Sequence, residues 1–581
     1  MSVAGGDAGP AGPSPGVLRL LRLNPTVWAA TALSLVLTLI WALFLAGVGG
    51  DLAAQWSWAD FAAKYPGSAY DLAWYGGIHP ASYSLLAPFL MAAVGVRAAG
   101  VLSVVVSAVL LAHILTRAGL RWPLPVALWG TFALWCDLAA GRVTFAIGLM
   151  FGLAAGAAAG TERTPGWGRT ALAAALAFLA VCASPLAGLF VEVAAAALLL
   201  TGRRRTGIAL GVPGPVVVLL TSALFPFAGV DPVGGTTIVS TAGCALGVAV
   251  LVPSGPSAAP VWRVVRVGAL LYAAGAGLTM LIDTPLGSNV ERLALIFGSV
   301  VFLAALCARG DLPRLRSLRL RLRMPGLHNP HLPSLPSPRM PGLRSVALLL
   351  AFLFAGYWTV TSDIVGIPTP SGRAQGAGLV AELRSLHVDA TGARVEAVPM
   401  LNHWESWGLT DVAELARGWN RQADVERNPL FYEGGLTPAA YHDWLRTWAV
   451  GYVAVPMLPA ADLDYSARDE AAVLATDPPW LRQIWQDSSW RLLKFTDAVA
   501  LASPPATVVA TDAAHIVLDV AGATTPVTVR VQWSPWLRVD GQAGACLAKD
   551  GDWTRLEVRA PGRYTIDSDY RLPRGSECPA S

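Results

Sequence analysis

Apolar runs of about twenty residues, separated by short polar turns, dominate the first 360 positions of the chain. The first covers residues 28–48, and others centre near 107, 130, 152, 177, 194, 217, 245, 275, 300 and 352. A run of roughly 20 apolar residues is the length a helix needs to cross a bilayer, so the pattern predicts about eleven transmembrane helices. Residues 83–95 are apolar but too short to span, and read as a half-helix lying at the interface. After Trp358 the pattern changes. Helical periodicity appears around 376–386, 410–422 and 437–449, interleaved with strand-like 395–398 and 452–455, which reads as α/β. From about Trp490, short alternating segments such as 527–533 and 556–559 stand between Gly, Pro and Asp turns and predict a β-sandwich.

Composition sharpens this picture. Only 14% of the 581 residues are charged, 54% are hydrophobic and the mean hydropathy is +0.51. Soluble domains carry about 25% charged residues, so lipid must solvate much of this chain. A net charge of +4 is too small to argue for nucleic acid, and no Gly precedes any Lys, which excludes a phosphate-binding P-loop. The predicted fold class is an α-helical polytopic membrane protein with a C-terminal α/β plus β-sandwich domain outside the membrane.

Residues 1–27 read as a disordered cytoplasmic N-terminus and 28–307 as a transmembrane domain with an exterior loop at 49–82. A basic, Pro-rich cytoplasmic loop follows at 308–343, then a last transmembrane helix at 344–360, the α/β region at 361–489 and the sandwich at 490–581. The first run has no small-residue cleavage site and reads as a retained helix. Arg19, Arg22, Arg117, Arg121, Arg163, Arg169, Arg203, Arg263 and Arg266 all fall in turns on the side where the N-terminus starts, as the positive-inside rule requires for a cytoplasmic N-terminus. An odd number of spans then places everything after Trp358 outside. Cys546 and Cys578 are a disulfide candidate suited to that side, with two free thiols as the alternative.

Candidate chemistry concentrates in the loop after the first run, where Asp51, Asp60, Asp71 and His79 stand among aromatics that include Trp74 and Tyr75. An acid just after the first helix, an aromatic loop, the His79-Pro-x-x-Tyr83 segment and a short half-helix resemble the GT-C superfamily of membrane glycosyltransferases. Gly141-Arg-Val-Thr-Phe145, Ala183-Ser-Pro-Leu-Ala-Gly-Leu-Phe190 and Thr284-Pro-Leu-Gly-Ser-Asn-Val-Glu-Arg292 are similar to segments of actinobacterial members. Ala416-Arg-Gly-Trp419, Asn428-Pro-Leu-Phe-Tyr432 and Trp533-Ser-Pro-Trp536 look like parts of their exterior domains.

The resemblance implies transfer of a sugar, mannose or arabinofuranose, from a polyprenyl-phosphate donor to an extracytoplasmic cell-envelope polysaccharide or lipoglycan. A carboxylate near the anomeric centre then takes the acceptor's proton. Asp51 is the first choice as base, with capping of a helix end as its structural alternative; Asp71 is second and Asp60 third. Arg142 and Arg292, each at the start of an inward-going helix, and His79 are candidates for the donor phosphate. Tyr75 and Trp74 are candidates for stacking on a sugar. Among acids in the runs, Asp137 and Asp283 lie near outer ends, and Glu192 lies deeper, where pairing with Arg142 is expected. No His-Glu-x-x-His occurs; a divalent cation (Mg, Mn or Ca) held by Asp51 with Asp71 is optional. Two rivals remain at this stage: a transporter or lipid-linked glycan flippase, and a catalytically silent assembly protein that holds glycan.

Overall fold

The computed structural model describes residues 24–579 apart from 48, 161–164, 228, 257, 310–341, 366, 368–375 and 523–525. The N-terminal segment through residue 23, with Arg19 and Arg22, and all but the ends of the basic Pro-rich segment therefore lie outside the described residues, as does Arg163. A helix stands at each of the eleven predicted centres. Asn24 opens the first by accepting the Thr26 N–H at 3.0 Å, with Pro25 at its first position.

The helices are α1 (Pro25–Ile40), α2 (Leu52–Lys64), α3 (Ala87–Val94), α4 (Val96–Arg117), α5 (Pro123–Ala139), α6 (Val143–Ala159), α7 (Trp167–Ala183), α8 (Pro185–Leu200), α9 (Arg204–Leu224), α10 (Gly235–Leu251), α11 (Pro260–Leu278), α12 (Arg292–Arg309) and α13 (Leu343–Val360). Among the described residues, six segments (those of α1, α4, α9, α11, α12 and α13) are long and apolar enough to cross a membrane, and α5, α6, α7, α8 and α10 are shorter apolar helices. Their outward faces are apolar: Leu219 is 70% exposed, Val239 73% and Val250 71%. Water would not tolerate so much exposed hydrocarbon, which is the surface of a membrane protein. The helices approach closely through small residues; a Cβ on Gly148 of α6 would stand 2.6 Å from Ser184 Cβ and 2.8 Å from Ala187 Cβ.

The short apolar stretch at 83–95 forms α3, stopped by Gly95 at φ +87°. Residues 49–82 are more ordered than an aromatic loop. They contain α2, whose Leu52, Trp58 and Phe61 are buried.

The C-terminal region begins with a four-stranded sheet in the order β1-β2-β4-β3, formed by β1 (Arg394–Ala397), β2 (Val450–Pro456), β3 (Leu481–Gln486) and β4 (Trp490–Phe495). Its first pair is parallel and the others antiparallel. Helices occur at Ala377–Ser385 and Pro438–Thr447, but 410–419 is not helical. That segment is extended because Leu415 bridges Val395 on one side and Trp74 on the other, and tertiary pairing overrides its helical spacing. The helix begins only at Arg421, after Asn420 caps it by accepting the Ala423 N–H at 3.0 Å.

The boundary expected at Trp490 moves too. β4 completes the α/β sheet, so the sandwich starts after it, with β7-β10-β9 against β5-β6-β11-β8: β5 (Ala506–Thr511), β6 (Ile516–Val520), β7 (Val527–Gln532), β8 (Arg538–Asp540), β9 (Cys546–Asp550), β10 (Trp553–Glu557) and β11 (Gly562–Asp567). Alternating residues, among them Ile516, Leu518, Val527, Val529, Leu556 and Ile566, fill its core. The Cys546 and Cys578 sulfurs are bonded at 2.01 Å.

The sandwich docks on the bundle through Trp536. Its indole stacks on Phe225 at 5.2 Å and its Nε1 donates to Leu224 O at 2.6 Å. The Trp533-Ser-Pro-Trp536 segment is therefore a joint between the two halves.

Candidate functional site

Two glycines set the site. Gly49 and Gly141 cross so closely that a Cβ on Gly49 would stand 2.6 Å from Gly141 Cα, and Gly141 holds φ +87°. Each precedes a charged residue by one or two positions, so the crossing brings Asp51 beside Arg142. Asp51 sits just ahead of α2, yet its carboxylate caps no helix N–H. Its Oδ2 instead accepts from Arg292 Nη2 at 3.0 Å and lies 4.0 Å from Arg142 Nε. Gln55, one turn into α2, ties the helix to the start of α6: its Nε2 donates to Gly141 O at 2.7 Å and its Oε1 accepts from Thr144 N at 3.1 Å.

Arg142 is otherwise occupied. Its Nη1 donates to Asp137 at 3.2 Å and to Asp363 at 2.6 Å, both deeply buried acids. Three carboxylates thus meet two guanidinium groups, and Arg142 anchors the cluster while Arg292 carries Asp51. Arg292 also lies over the Phe145 ring at 5.4 Å. Glu192 does not pair with Arg142 as expected. Its carboxylate faces Gly214 instead, one residue past Pro213, where the helix path breaks at Val212.

Asp51, Arg142 and Arg292 line one cavity of about 700 Å³ at the junction of bundle and C-terminal region. Tyr83 and Asn289 belong to the same wall, and Trp419, Arg421 and Tyr465 reach it from the C-terminal region. Beside it, sharing Leu286, lies a second cavity of about 230 Å³ whose lining is nearly all hydrocarbon, from Leu189 and Phe190 on α8 to Leu271 and Ala276 on α11.

The other predicted residues lie elsewhere. Asp71 is 1% exposed, accepts the Ala73 N–H at 2.9 Å and lines a separate cavity of about 200 Å³ with Asp60 and Glu414. Burial pushes its carboxyl up to about 7. Asp51 and Asp71 therefore do not form a joint cation site. Among the described residues the one cluster with metal-like spacing is Cys546, Glu557 and Cys578, and its sulfurs are already bonded to each other. Asp60 accepts from Trp407 Nε1 at 2.6 Å, and Asp283 is exposed between α11 and α12.

His79 is buried away from the cavity. Its Nδ1–H donates to Ala69 O at 2.8 Å, which leaves Nε2 to accept from the Ser534 hydroxyl at 3.1 Å. Burial holds it down at about 4, so it is neutral and both nitrogens are engaged. Trp74 and Tyr75 are fully buried and offer no face to a sugar. Trp74 Nε1 donates to Ser406 O at 2.9 Å; the Tyr75 hydroxyl donates to Gly418 O at 2.8 Å and accepts the Asn420 N–H at 3.1 Å. These aromatics fasten residues 406–420 to the loop.

Asp363, which ends the last apolar helix 221 residues from its partner Arg142, was not singled out from the sequence. Its only signal was an acid at the close of an apolar run, as for Asp137. Arg421 and Trp419 were hidden for another reason, since a soluble-looking segment gives no sign that it roofs a membrane cavity.

Residues 503–581, which span the sandwich, match a family model described as a domain of unknown function (DUF8823). No curated protein matches the chain. Among solved structures, a cryo-EM structure of the arabinofuranosyltransferase AftD from Mycobacteria is similar at 17% identity and a TM-score of 0.45. That match covers 81% of this chain and 41% of AftD, so the chain spans well under half of that protein's length.

Proposed function

We propose that the chain is a membrane glycosyltransferase that moves a sugar, arabinofuranose or mannose, from a polyprenyl-phosphate donor to a cell-envelope glycan on the outer side, with Asp51 as general base. The observation that carries this reading is the Asp51 carboxylate. It is one-third exposed in a 700 Å³ cavity and is held by Arg292 at 3.0 Å instead of capping its helix. A base must be open to the acceptor hydroxyl and fixed in direction, and a buried carboxylate such as Asp71 fails the first condition.

The hydrocarbon-lined cavity beside it suits an isoprenoid chain, and in this reading the donor phosphate lies near Leu286 and Arg292. Arg292 meets the phosphate as charge develops on the leaving group. Arg142, fixed by Asp137 and Asp363, positions Asp51 and Arg292 around that point. In this reading the C-terminal region faces the exterior and the N-terminus the cytoplasm.

The test uses the full chain in nanodiscs with radiolabelled polyprenyl-phosphate arabinose and mannose and a cell-envelope acceptor. The wild type consumes one donor, and Asp51→Asn lowers the transfer rate by about 10²- to 10⁴-fold with an unchanged melting profile. A wild type that turns over neither donor but carries labelled lipid across the bilayer of sealed proteoliposomes is a transporter, and the proposal fails.

A further inference from the structure

The cavity has two chemically different walls. The wall supplied by the bundle carries the ionic cluster of Asp51, Arg142 and Arg292; the wall supplied by the C-terminal region is aromatic and electrically balanced. There Arg421 is paired with Asp464 by two parallel bonds, Nη1 to Oδ1 at 2.9 Å and Nη2 to Oδ2 at 2.8 Å. Its guanidinium lies 4.9 Å from the Trp419 ring and 4.5 Å from the Tyr465 ring.

This wall is stiff. The His403 ring stacks against Trp419 at 3.4 Å with an interplanar angle of 11°, and Tyr75 grips the backbone on both sides of Trp419, at Gly418 and Asn420. Yet Trp419 is only half-buried, and Tyr465 is 53% exposed. One face of Trp419 is covered by His403, and the exposed parts of Trp419 and Tyr465, with Gln422 and the carboxyl of Asp231 in the same lining, are matched to a ring that is apolar on its faces and hydroxylated at its edge.

The geometry points to a subsite for the acceptor saccharide against this wall, in which Trp419 and Tyr465 stack on a sugar ring and Gln422, together with Asp231 from the segment between α9 and α10, meets its hydroxyls. The inference rests on the glycosyltransferase reading and assigns the two walls to the two substrates. With Arg421 neutralised by Asp464, the aromatic wall has no spare positive charge to draw the donor phosphate, and its polar groups are unsuited to an alkyl chain. The donor belongs to the ionic wall and the hydrocarbon cavity, the acceptor to the aromatic wall.

Full-length protein in nanodiscs tests this with three readouts: transfer to synthetic arabinofuranosyl and mannosyl tetrasaccharides, release of donor sugar to water, and calorimetric binding of the same tetrasaccharides. Tyr465→Ala, at an exposed position, and Trp419→Ala each raise the acceptor KM by about tenfold or more, while release of donor sugar to water stays within about twofold of wild type. An unchanged acceptor KM in both variants overturns the subsite, as does a fall in water release equal to the fall in transfer. If the wild type consumes no donor, the transferase reading fails. The subsite then stands on calorimetry alone, through tetrasaccharide binding that Tyr465→Ala weakens by about tenfold, and falls if the wild type binds no tetrasaccharide.

Discussion

Arg417 shows how a single residue in a suggestive motif is used. Within Ala416-Arg-Gly-Trp419 it is buried, with Nε on Glu396 at 2.8 Å, Nη2 on Glu470 at 2.5 Å and its guanidinium over Phe431 at 3.8 Å. The Tyr441 hydroxyl also donates to Glu470, at 2.7 Å. Removing this guanidinium takes the positive partner from Glu396 and Glu470, and from Asp424 at 3.9 Å, all buried. Arg417→Met is expected to destabilise the C-terminal region by about 3–5 kcal/mol in denaturant unfolding. A loss below about 1 kcal/mol would show that the acids are protonated and need no partner. Neighbouring Trp419 differs, because the same short motif gives one side chain to the core and one to the cavity.

At the scale of elements, the crossing of the segments before α2 and α6 decides where Asp51 points. Gly49→Ala forces a methyl group onto the Gly141 backbone, so a cost of about 1–3 kcal/mol is expected, together with a larger proportional loss of any activity that depends on Asp51. An activity that survives while stability falls would separate the crossing from the site.

The seam between the 49–82 segment and the C-terminal region makes a second prediction. Desolvation pushes both Asp71 and Glu414 up to about 7, the latter despite Arg394 at 3.3 Å. Unfolded carboxyls titrate near 4, so the favourable contribution of these protonated groups is full below about pH 4 and is lost as pH rises through 7. The melting temperature of the wild type should therefore fall from pH 5 to pH 8 more steeply than that of Asp71→Asn. Parallel curves for the two proteins would mean that Asp71 is ionised in the fold.

For the whole molecule, the proposed orientation has a direct check. A protease added to intact cells should reach the C-terminal region and leave the N-terminus intact, and the reverse pattern would invert the topology. Reduction of the Cys546–Cys578 bond, which closes a loop of 32 residues, should lower the stability of the sandwich by about 3–4 kcal/mol.

What the sequence determined by itself follows from patterns that act locally. Hydrocarbon runs place a helix at every predicted centre, period-two alternation yields the sandwich strands, and an acid and two arginines at helix starts single out Asp51, Arg142 and Arg292 as candidates, which the fold brings to one cavity. The boundary at Trp490 and the helix at 410–422 were misread because strand pairing across the chain outweighs local spacing. Only the tertiary structure separated Asp51 from Asp71, because both are acids in one aromatic loop and differ solely in what folds over them. It also decided that Asp363 closes the ionic cluster and that Trp419 and Tyr465 face the cavity, since those contacts join residues tens to hundreds of positions apart, where no periodicity reaches.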